Sequence, residues 1–395
     1  MYKKKKVRAG SKPAPIDTHA GSKPAPIDTH AGSKPAPDQR LLTSLAELGE
    51  FGLIDRLTKD FRTGDPSTVK GVGDDAAVID FTVDMDKISI RRDGACPVST
   101  VCLISTDLLV EGIHFDMTYT PLRHLGYKAV VVNLSDIAAM NGTPRQITVS
   151  VSVSSRFSAE ALEEIYTGIR LACEKYHIDL VGGDTCSSVT GLVISVTAIG
   201  SAPKNEIVYR IGAKPGDLLC VTGDLGSAYI GLLLLEREKK VYEANPGMQP
   251  ELTGFDYQIG RMLKPEARTD IRLLLEGTGV KPTSMIDISD GLASEVLHLC
   301  KQSDVGCKIY EEKIPMDPQT KEIAMEFNII PSVAMLSGGE DYELLFTIPQ
   351  ADYEKIKDVA GVTIIGHMTD RVEGKKMITP DGKEVEISAQ GWKAF

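Results

Sequence analysis

From residue 41 onward, apolar residues follow strand-like and helix-like patterns in turn. Residues 147–153 alternate apolar side chains with hydroxyls, and this period of two predicts a half-buried strand. Ser158 is placed to cap a following helix, and two more strands are predicted at 178–181 and 192–199. This order of elements predicts an α/β layered fold, in which a mixed sheet packs against helices.

The second half of the chain repeats this arrangement. Strands are predicted at 218–221, 284–288, 342–348 and 362–365, and helices at 227–238 and 293–302. Segments with Pro, Gly and Lys separate the two halves and are typical of a hinge, so we place the boundary near 205–213. We therefore expect two domains, at 41–205 and 206–395.

Three stretches stand outside this pattern. Residues 81–100 are predicted to be a hairpin insertion, and residues 239–258 a surface loop. Residues 9–19 recur unchanged at 20–30, and 31–37 begin a third copy. These repeats are rich in Pro and Gly and have no apolar face to bury, so we expect residues 1–40 to be a disordered tag or linker.

Charge and cysteine content narrow the classes of function. The net charge is −11, and because residues 1–40 contribute +6, the rest of the chain carries −17. An acidic body disfavours nucleic acid and anionic membranes as partners, and no apolar run approaches the roughly 20 residues of a membrane span. The seven cysteines show no metal-ligand spacing. We expect free thiols and a cytoplasmic protein.

Acidic residues recur where predicted strands end. An apolar run is followed by small or hydroxyl residues and then by Asp at Asp75, Asp107, Asp136, Asp184, Asp287 and Asp290. One such Asp is usually a turn residue or a helix cap, but the recurrence favours a shared site at the carboxyl ends of the strands. Converging carboxylates repel one another unless cations neutralise them, and oxygen ligands suit Mg²⁺.

The common nucleotide-binding and hydrolase signatures are missing from the sequence. It contains no Walker loop, no protein-kinase motifs and no Gly-x-Ser-x-Gly. If the chain binds ATP, we expect metal ions rather than a backbone cradle to hold the phosphates. The segment 221–228 leaves two interpretations open: a phosphate-binding turn at the start of a helix, or close packing of strand on helix.

Taken together, several segments resemble the thiamine-monophosphate kinase family, within the superfamily of aminoimidazole ribonucleotide synthetase and selenophosphate synthetase. The matching segments are 47–54, 73–77, 105–115, 133–140, 182–185, 286–292 and 336–344. The most specific are Glu-Gly-Ile-His-Phe at 111–115 and Ser-Gly-Gly-Glu-Asp-Tyr-Glu-Leu at 337–344. The resemblance runs from about residue 45 to 395, and the insertion at 81–100 departs from it.

The resemblance implies transfer of the γ-phosphoryl group of ATP to thiamine monophosphate, several Mg²⁺ ions, and a homodimer whose N-terminal domains join their sheets. The implied metal ligands are Asp75, Ser105, Thr106, Asp107, Asp136, Asp184, Asp287 and Asp290. The implied ATP contacts are Gly183, Asp184, Arg210 and Ser289. The implied substrate contacts are His114, Glu340 and Trp392. No catalytic base is implied, because the attacking phosphate oxygen is already anionic.

Some alternatives stay open at this point. His114 could be a structural residue, and Trp392 could fill a core. The pattern at 128–140 fits a strand or a helix, although the family fold favours a helix. The chain could also be another ATP-dependent enzyme of the superfamily, or a catalytically silent nucleotide-binding protein.

Overall fold

The computed structural model describes residues 52, 54–56, 58–59, 65–81 and 100–389. The tag predicted at 1–40, Trp392 and the interior of the insertion predicted at 81–100 lie outside the described residues. Among the described residues, no helix is both long and apolar enough to cross a membrane. The six cysteines in this part of the chain all carry free thiols.

The first sheet belongs to the N-terminal half of the chain and, within the described residues, has six strands. In chain order these are β1 (Thr68–Lys70), β2 (Ala77–Ile79), β3 (Thr100–Val110), β4 (Thr143–Val153), β5 (Asp179–Ser187) and β6 (Leu192–Pro203). Their order across the sheet is β1-β2-β3-β6-β4-β5, and among these six strands β4 and β5 alone pair in parallel. The strands predicted at 147–153, 178–181 and 192–199 overlap β4, β5 and β6.

Two helices cover one face of this sheet, α1 (Leu122–Ala139) and α2 (Ala159–Tyr176). Residues alternate between buried and half-buried along β6, and its inward side chains share one hydrophobic core with both helices. The predicted cap is confirmed, because the side chain of Ser158 accepts a hydrogen bond from the backbone N of Ala161 at 3.3 Å. The layered α/β arrangement is therefore confirmed for this half.

Helix α1 is buried on nearly every side. It packs on the first sheet, while Ala138 and Ala139 share a cluster with Phe346 of the other half of the chain. A helix enclosed in this way is apolar all round and shows little periodicity. This burial explains why the pattern at 128–140 was compatible with a strand as well as a helix.

Two glycines set the separation of α1 and α2. A Cβ atom built on Gly126 would lie 2.0 Å from the carbonyl oxygen of Ile165, and one on Gly168 would lie 1.9 Å from that of Arg123. No side chain fits at either position, so the two helix backbones are in direct contact. This close contact fixes the position of α1, which carries several polar side chains toward the second half of the chain.

The second sheet has seven strands in the order β13-β12-β9-β11-β7-β10-β8. The strands are β7 (Leu218–Thr222), β8 (Ser284–Asp287), β9 (Gly306–Tyr310), β10 (Leu344–Ile348), β11 (Val362–Thr369), β12 (Lys375–Ile378) and β13 (Glu384–Glu386). Only β9 and β12 pair in parallel. The helices are α3 (Ser227–Ala244), α4 (Asp256–Leu263), α5 (Ile271–Thr278), α6 (Leu292–Ser303), α7 (Pro318–Glu326), α8 (Pro331–Ser337) and α9 (Tyr353–Ile356).

The strands and helices predicted in this half overlap observed elements. The prediction of a surface loop at 239–258 was wrong at both ends of that range, where the structure has helix. Helix α3 continues to Ala244, and α4 already begins at Asp256. The apolar stripe of α3 ends at Leu235, and its last turns are mostly polar and exposed. Because those turns bury no apolar face, hydrophobic periodicity could not reveal them.

Candidate active site

Three aspartates from distant segments meet where the two halves of the chain touch. Asp75 precedes β2, Asp136 lies in the last turns of α1, and Asp287 is the last residue of β8. One carboxylate oxygen from each lies within 4.8 Å of those of the other two. Asp75 and Asp287 are only 8% and 4% exposed. The structure therefore brings together three of the residues predicted as metal ligands.

Hydroxyl groups orient two of these carboxylates. The Oγ of Ser105, on β3, donates a hydrogen bond to Oδ2 of Asp136. The Oγ of Ser135 donates to Oδ2 of Asp287 over 2.6 Å. Ser135 is adjacent to Asp136 on α1, so this helix contacts both sheets through neighbouring residues. The Ser135 contact was not predicted, because its partner lies 152 residues away along the chain.

Asp107 lies beside this cluster and contributes charge to it. Its backbone N donates to Oδ1 of Asn133, on α1, at 2.9 Å. Burial raises the pKa of Asp136 well above its usual value, and the neighbouring charges of Asp107 and Asp287 raise it further. Burial also raises the pKa of Asp287, to about 7, with the charge of Asp75 as the next cause. The carboxylates are therefore costly to ionise together unless cations lie among them.

Arg210 supplies one positive charge to this cluster. Its guanidinium binds Asp75 in a bidentate manner, with Nε 3.0 Å from Oδ2 and Nη2 2.6 Å from Oδ1. Its backbone N donates to Oδ1 of Asp74 at 3.2 Å. Burial raises the pKa of Asp74 to about 6, and the charge of Asp75 adds to this. Arg210 was predicted as an ATP contact, and the structure places it directly against a predicted metal ligand.

The loop that follows β8 carries Ser289 and Asp290. The backbone N atoms of these two residues donate to Oε1 of Glu295, at 3.2 Å and 2.9 Å respectively. Glu295 lies in the first turn of α6 and is 3% exposed. It accepts the loop amides in the manner of a helix cap. Sequence reasoning missed Glu295, because a Glu in the first turn of a helix is usually a solvated residue.

His114 and Glu340, predicted to contact the substrate, are both held by their surroundings. Nδ1 of His114 accepts a hydrogen bond from the backbone N of Val110 at 3.0 Å, which places the proton of a neutral ring on Nε2. Oε2 of Glu340 lies 2.5 Å from Nζ of Lys128, on α1. Lys128 was not predicted, because a lone Lys in an apolar run carries no recognisable motif.

Asp184 and Gly183, in contrast, lie away from the carboxylate cluster. Gly183 of β5 pairs with Val149 of β4. Crossing the sheet from there, the next paired residues are Val196 of β6 and then Asp107 of β3. Three strand spacings separate Gly183 from Asp107, a distance of roughly 14 Å. The structure of one chain therefore does not bring Asp184 to the other predicted metal ligands.

Thr106 also points away from the cluster. Neighbouring strand residues face opposite sides of a sheet, so Thr106 and Asp184 lie on the outer face and Asp107 faces the helices. Thr106 is exposed, and its Oγ1 donates to the backbone O of Val196 at 3.1 Å. Two predicted ligands thus share the open face of the first sheet.

In the turn at 221–228, the chain itself binds the backbone N atoms of Gly223, Leu225 and Gly226. The backbone N of Gly226 donates to both carboxylate oxygens of Asp341, at 3.1 Å and 2.9 Å. A Cβ on Gly223 would lie 2.3 Å from Oε1 of Glu343. A carboxylate of the chain thus binds the Gly226 amide, and the backbone at Gly223 packs against Glu343, which favours the close-packing interpretation of this turn.

Comparisons with known proteins agree with this two-domain architecture. The AIR synthase related protein N-terminal domain model matches residues 73–202, and the corresponding C-terminal domain model matches residues 214–378. The chain is thus a two-domain protein of the AIR synthase related class. Hydrogenase maturation protein HypE is 18% identical with a TM-score of 0.59, which is a likeness of fold alone.

Relatives with higher sequence identity show which family within this class the chain belongs to. The thiamine-monophosphate kinase of Bacillus subtilis (strain 168) is 34% identical over 361 residues, covering 88% of this chain and 100% of its own. That of Aquifex aeolicus (strain VF5) is 35% identical over 352 residues, covering 89% and 99%. A solved structure of AaThiL complexed with AMPPCP and TMP has a TM-score of 0.73 at 32% identity, covering 90% and 100%. The chain belongs to the thiamine-monophosphate kinase family.

Proposed function

We propose that this chain transfers the γ-phosphoryl group of ATP to thiamine monophosphate, giving thiamine diphosphate and ADP. The observation that carries this proposal is the meeting of Asp75, Asp136 and Asp287, in a chain whose relatives are thiamine-monophosphate kinases. Converging acidic groups with raised pKa values mark a site that is completed by cations and phosphates.

The cluster fits Mg²⁺ by the chemistry of its donors. All candidate ligand atoms are carboxylate or hydroxyl oxygens. Among the described residues, the buried Oδ2 of Asp74 accepts no hydrogen bond and lies 3.6 Å from Nζ of Lys70. We propose that Asp75, Ser105, Asp107, Asp136, Asp287 and Asp290 bind several Mg²⁺ ions in this cluster. Thr106 and Asp184, on the outer face of the first sheet, remain proposed ligands that would bind an ion outside the cluster. When bound, these ions neutralise the charge between two polyanionic reactants.

The chain's own side chains then act mainly by positioning. Ser105 and Ser135 orient the carboxylates of Asp136 and Asp287, and Glu295 fixes the loop amides of Ser289 and Asp290. The attacking group is a phosphate oxygen that is already anionic, so alignment and charge compensation supply the rate enhancement and no side-chain base is needed.

We propose a separate set of contact residues for each of the two substrates. Gly183, Asp184, Arg210 and Ser289 are assigned to ATP. His114 and Glu340 are assigned to thiamine monophosphate, together with Trp392, which lies outside the described residues.

We further propose that the chain acts as a homodimer with the first sheets joined. Every residue of the edge strand β5 is exposed, including the apolar Leu180 and Val181. Leu108, on the outer face of β3, is 52% exposed. A second copy that paired along the β5 edge and covered the outer face of β3 would bury Leu108 and the exposed edge, and would place protein against Asp184. Sedimentation equilibrium tests this: a dimer is expected, and a monomer at all concentrations would contradict it.

A coupled assay of ADP formation tests the reaction. ADP is expected with thiamine monophosphate and Mg²⁺, and only at background level with thiamine, pyridoxal or an aminoimidazole ribonucleotide precursor. ADP formation with one of the other acceptors would instead identify another enzyme of the superfamily. ATP binding without turnover of any acceptor would identify a catalytically silent protein.

A further inference from the structure

Helix α1 carries one lysine into the contact between the two halves of the chain. The Lys128 side chain is 4% exposed. Its Nζ lies 2.5 Å from Oε2 of Glu340 and donates to the backbone O of Met262 at 3.1 Å. Both acceptors belong to the second half of the chain, whereas Lys128 belongs to the first.

The position of this lysine is not explained by packing alone. Its neighbours on α1, from Leu125 to Leu134, are buried and mostly apolar. Burying an ammonium group is costly unless it is paired and hydrogen-bonded. An apolar side chain would fill the same place in the helix without that cost. The charge of Lys128 is therefore explained by its ion pair with Glu340.

Glu340 is held in an unusual backbone conformation. Its φ is +63°, and those of Gly339 and Tyr342 are +69° and +51°. Left-handed conformations are unfavourable for residues other than glycine and persist only where the surroundings impose them. The backbone N of Glu340 donates to the carbonyl O of Ser289 at 2.7 Å, so this loop is tied to the predicted ATP-contacting loop.

The contacts of the Glu340 carboxylate are concentrated on one oxygen. In the part of the chain that the structure describes, Oε2 accepts from Nζ of Lys128 and from the hydroxyl of Tyr342 at 3.3 Å. The Glu340 side chain is still 28% exposed. Fixing Oε2 in this way sets the plane of the carboxylate and leaves Oε1 available to a ligand.

We propose that Lys128 is a positioning residue, which fixes the Glu340 carboxylate across the contact between the two halves so that it can bind the thiamine part of the substrate. This inference rests on the proposed function. The proposal predicts that Lys128 affects the binding of thiamine monophosphate and does not affect the binding of ATP. It also predicts that Lys128 acts only through Glu340.

The test compares the steady-state kinetics of Lys128→Met, Glu340→Gln and the double variant with those of the full-length chain. Lys128→Met is expected to raise KM for thiamine monophosphate about tenfold, which corresponds to about 1.4 kcal/mol. KM for ATP is expected to stay within about twofold of the wild-type value. The double variant is expected to match Glu340→Gln alone, because removing Glu340 removes the group through which Lys128 acts.

Tyr127→Phe is the matched control. Tyr127 is adjacent on α1 and donates to Oε2 of Glu266, in the second half of the chain, at 2.6 Å. Its removal breaks a contact between the halves without touching Glu340, so KM for thiamine monophosphate should not change. If Lys128→Met does not fold, Lys128→Gln replaces it in the same comparison of single and double variants. The Gln amide can still donate a hydrogen bond to the backbone O of Met262.

Three results would overturn the role of Lys128: an unchanged KM for thiamine monophosphate, an equal rise in both KM values, or additive effects in the double variant. Each of these requires a wild-type chain that phosphorylates thiamine monophosphate. A wild-type chain without that activity would instead refute the proposed function, and the role of Lys128 with it.

Discussion

Replacing Asp287 by Asn tests whether the carboxylate cluster is built for cations. Asp287 is buried beside Asp75, and its Oδ2 accepts a hydrogen bond from Ser135. Asn has nearly the same shape and can accept the same hydrogen bond, but it carries no charge. We therefore expect Asp287→Asn to stabilise the metal-free protein near neutral pH and to abolish much of its stabilisation by Mg²⁺.

The size of the effect follows from the pKa. The pKa of Asp287 is raised from 3.8 to about 7 in the folded protein. A raised pKa means that the folded state binds the proton more tightly, so its stabilising effect is present below pH 4 and is lost as the pH rises through 7. At about 1.4 kcal/mol for each pKa unit, ionised Asp287 costs the metal-free fold about 4 kcal/mol at pH 8.

Urea unfolding of both proteins at pH 5 and pH 8, in chelator and in excess Mg²⁺, measures this cost. In chelator, the wild-type free energy of unfolding should fall between pH 5 and pH 8 by about 3 kcal/mol more than that of Asp287→Asn, because the two pH units from 5 to the pKa of about 7 contribute about 1.4 kcal/mol each. Excess Mg²⁺ should restore the wild type and have little effect on the variant. An Asp287→Asn variant that is less stable than wild type at pH 8 in chelator would refute the reasoning, as would equal stabilisation of both proteins by Mg²⁺.

Three further predictions concern turnover, nucleotide binding and helix packing. Asp107→Asn should lower kcat by orders of magnitude with little change in thermal stability, because it removes one charge beside Asp136; near-normal turnover would contradict this role. Chelation of Mg²⁺ should weaken ATP binding sharply in calorimetry, and an unchanged affinity would indicate a phosphate site that needs no metal. Gly168→Ala should destabilise the fold by about 3 kcal/mol or more, because its Cβ would lie 1.9 Å from a backbone oxygen of Arg123; an unchanged midpoint of unfolding would contradict it.

Local chemistry predicted much of the fold. The hydroxyl alternation of β4, the cap at Ser158 and the apolar runs of the second half each depend on residues close in sequence, and each appears in the structure. Helix α1 could not be read in this way, because both of its faces are buried by partners distant in sequence. The last turns of α3 were missed for the opposite reason, since they bury little.

The same distinction applies to the candidate site. Asp75, Asp136 and Asp287 were found because each follows a recognisable motif, and the fold brings them together. Lys128 and Glu295 were missed because their importance comes from partners in other segments. A motif also says nothing about which face of a sheet a residue occupies or how many strands lie between two residues. For this reason the motif grouped Asp184 with the other predicted metal ligands, although within one chain it lies far from them.

The central claim is that divalent cations bind among Asp75, Asp136 and Asp287 and carry the nucleotide phosphates. Anomalous diffraction from crystals grown with Mn²⁺ and a non-hydrolysable ATP analogue tests it most directly. Anomalous peaks within bonding distance of these three carboxylates and of the phosphates are predicted. An ordered nucleotide bound elsewhere, with no anomalous peak among the three aspartates, would contradict the claim.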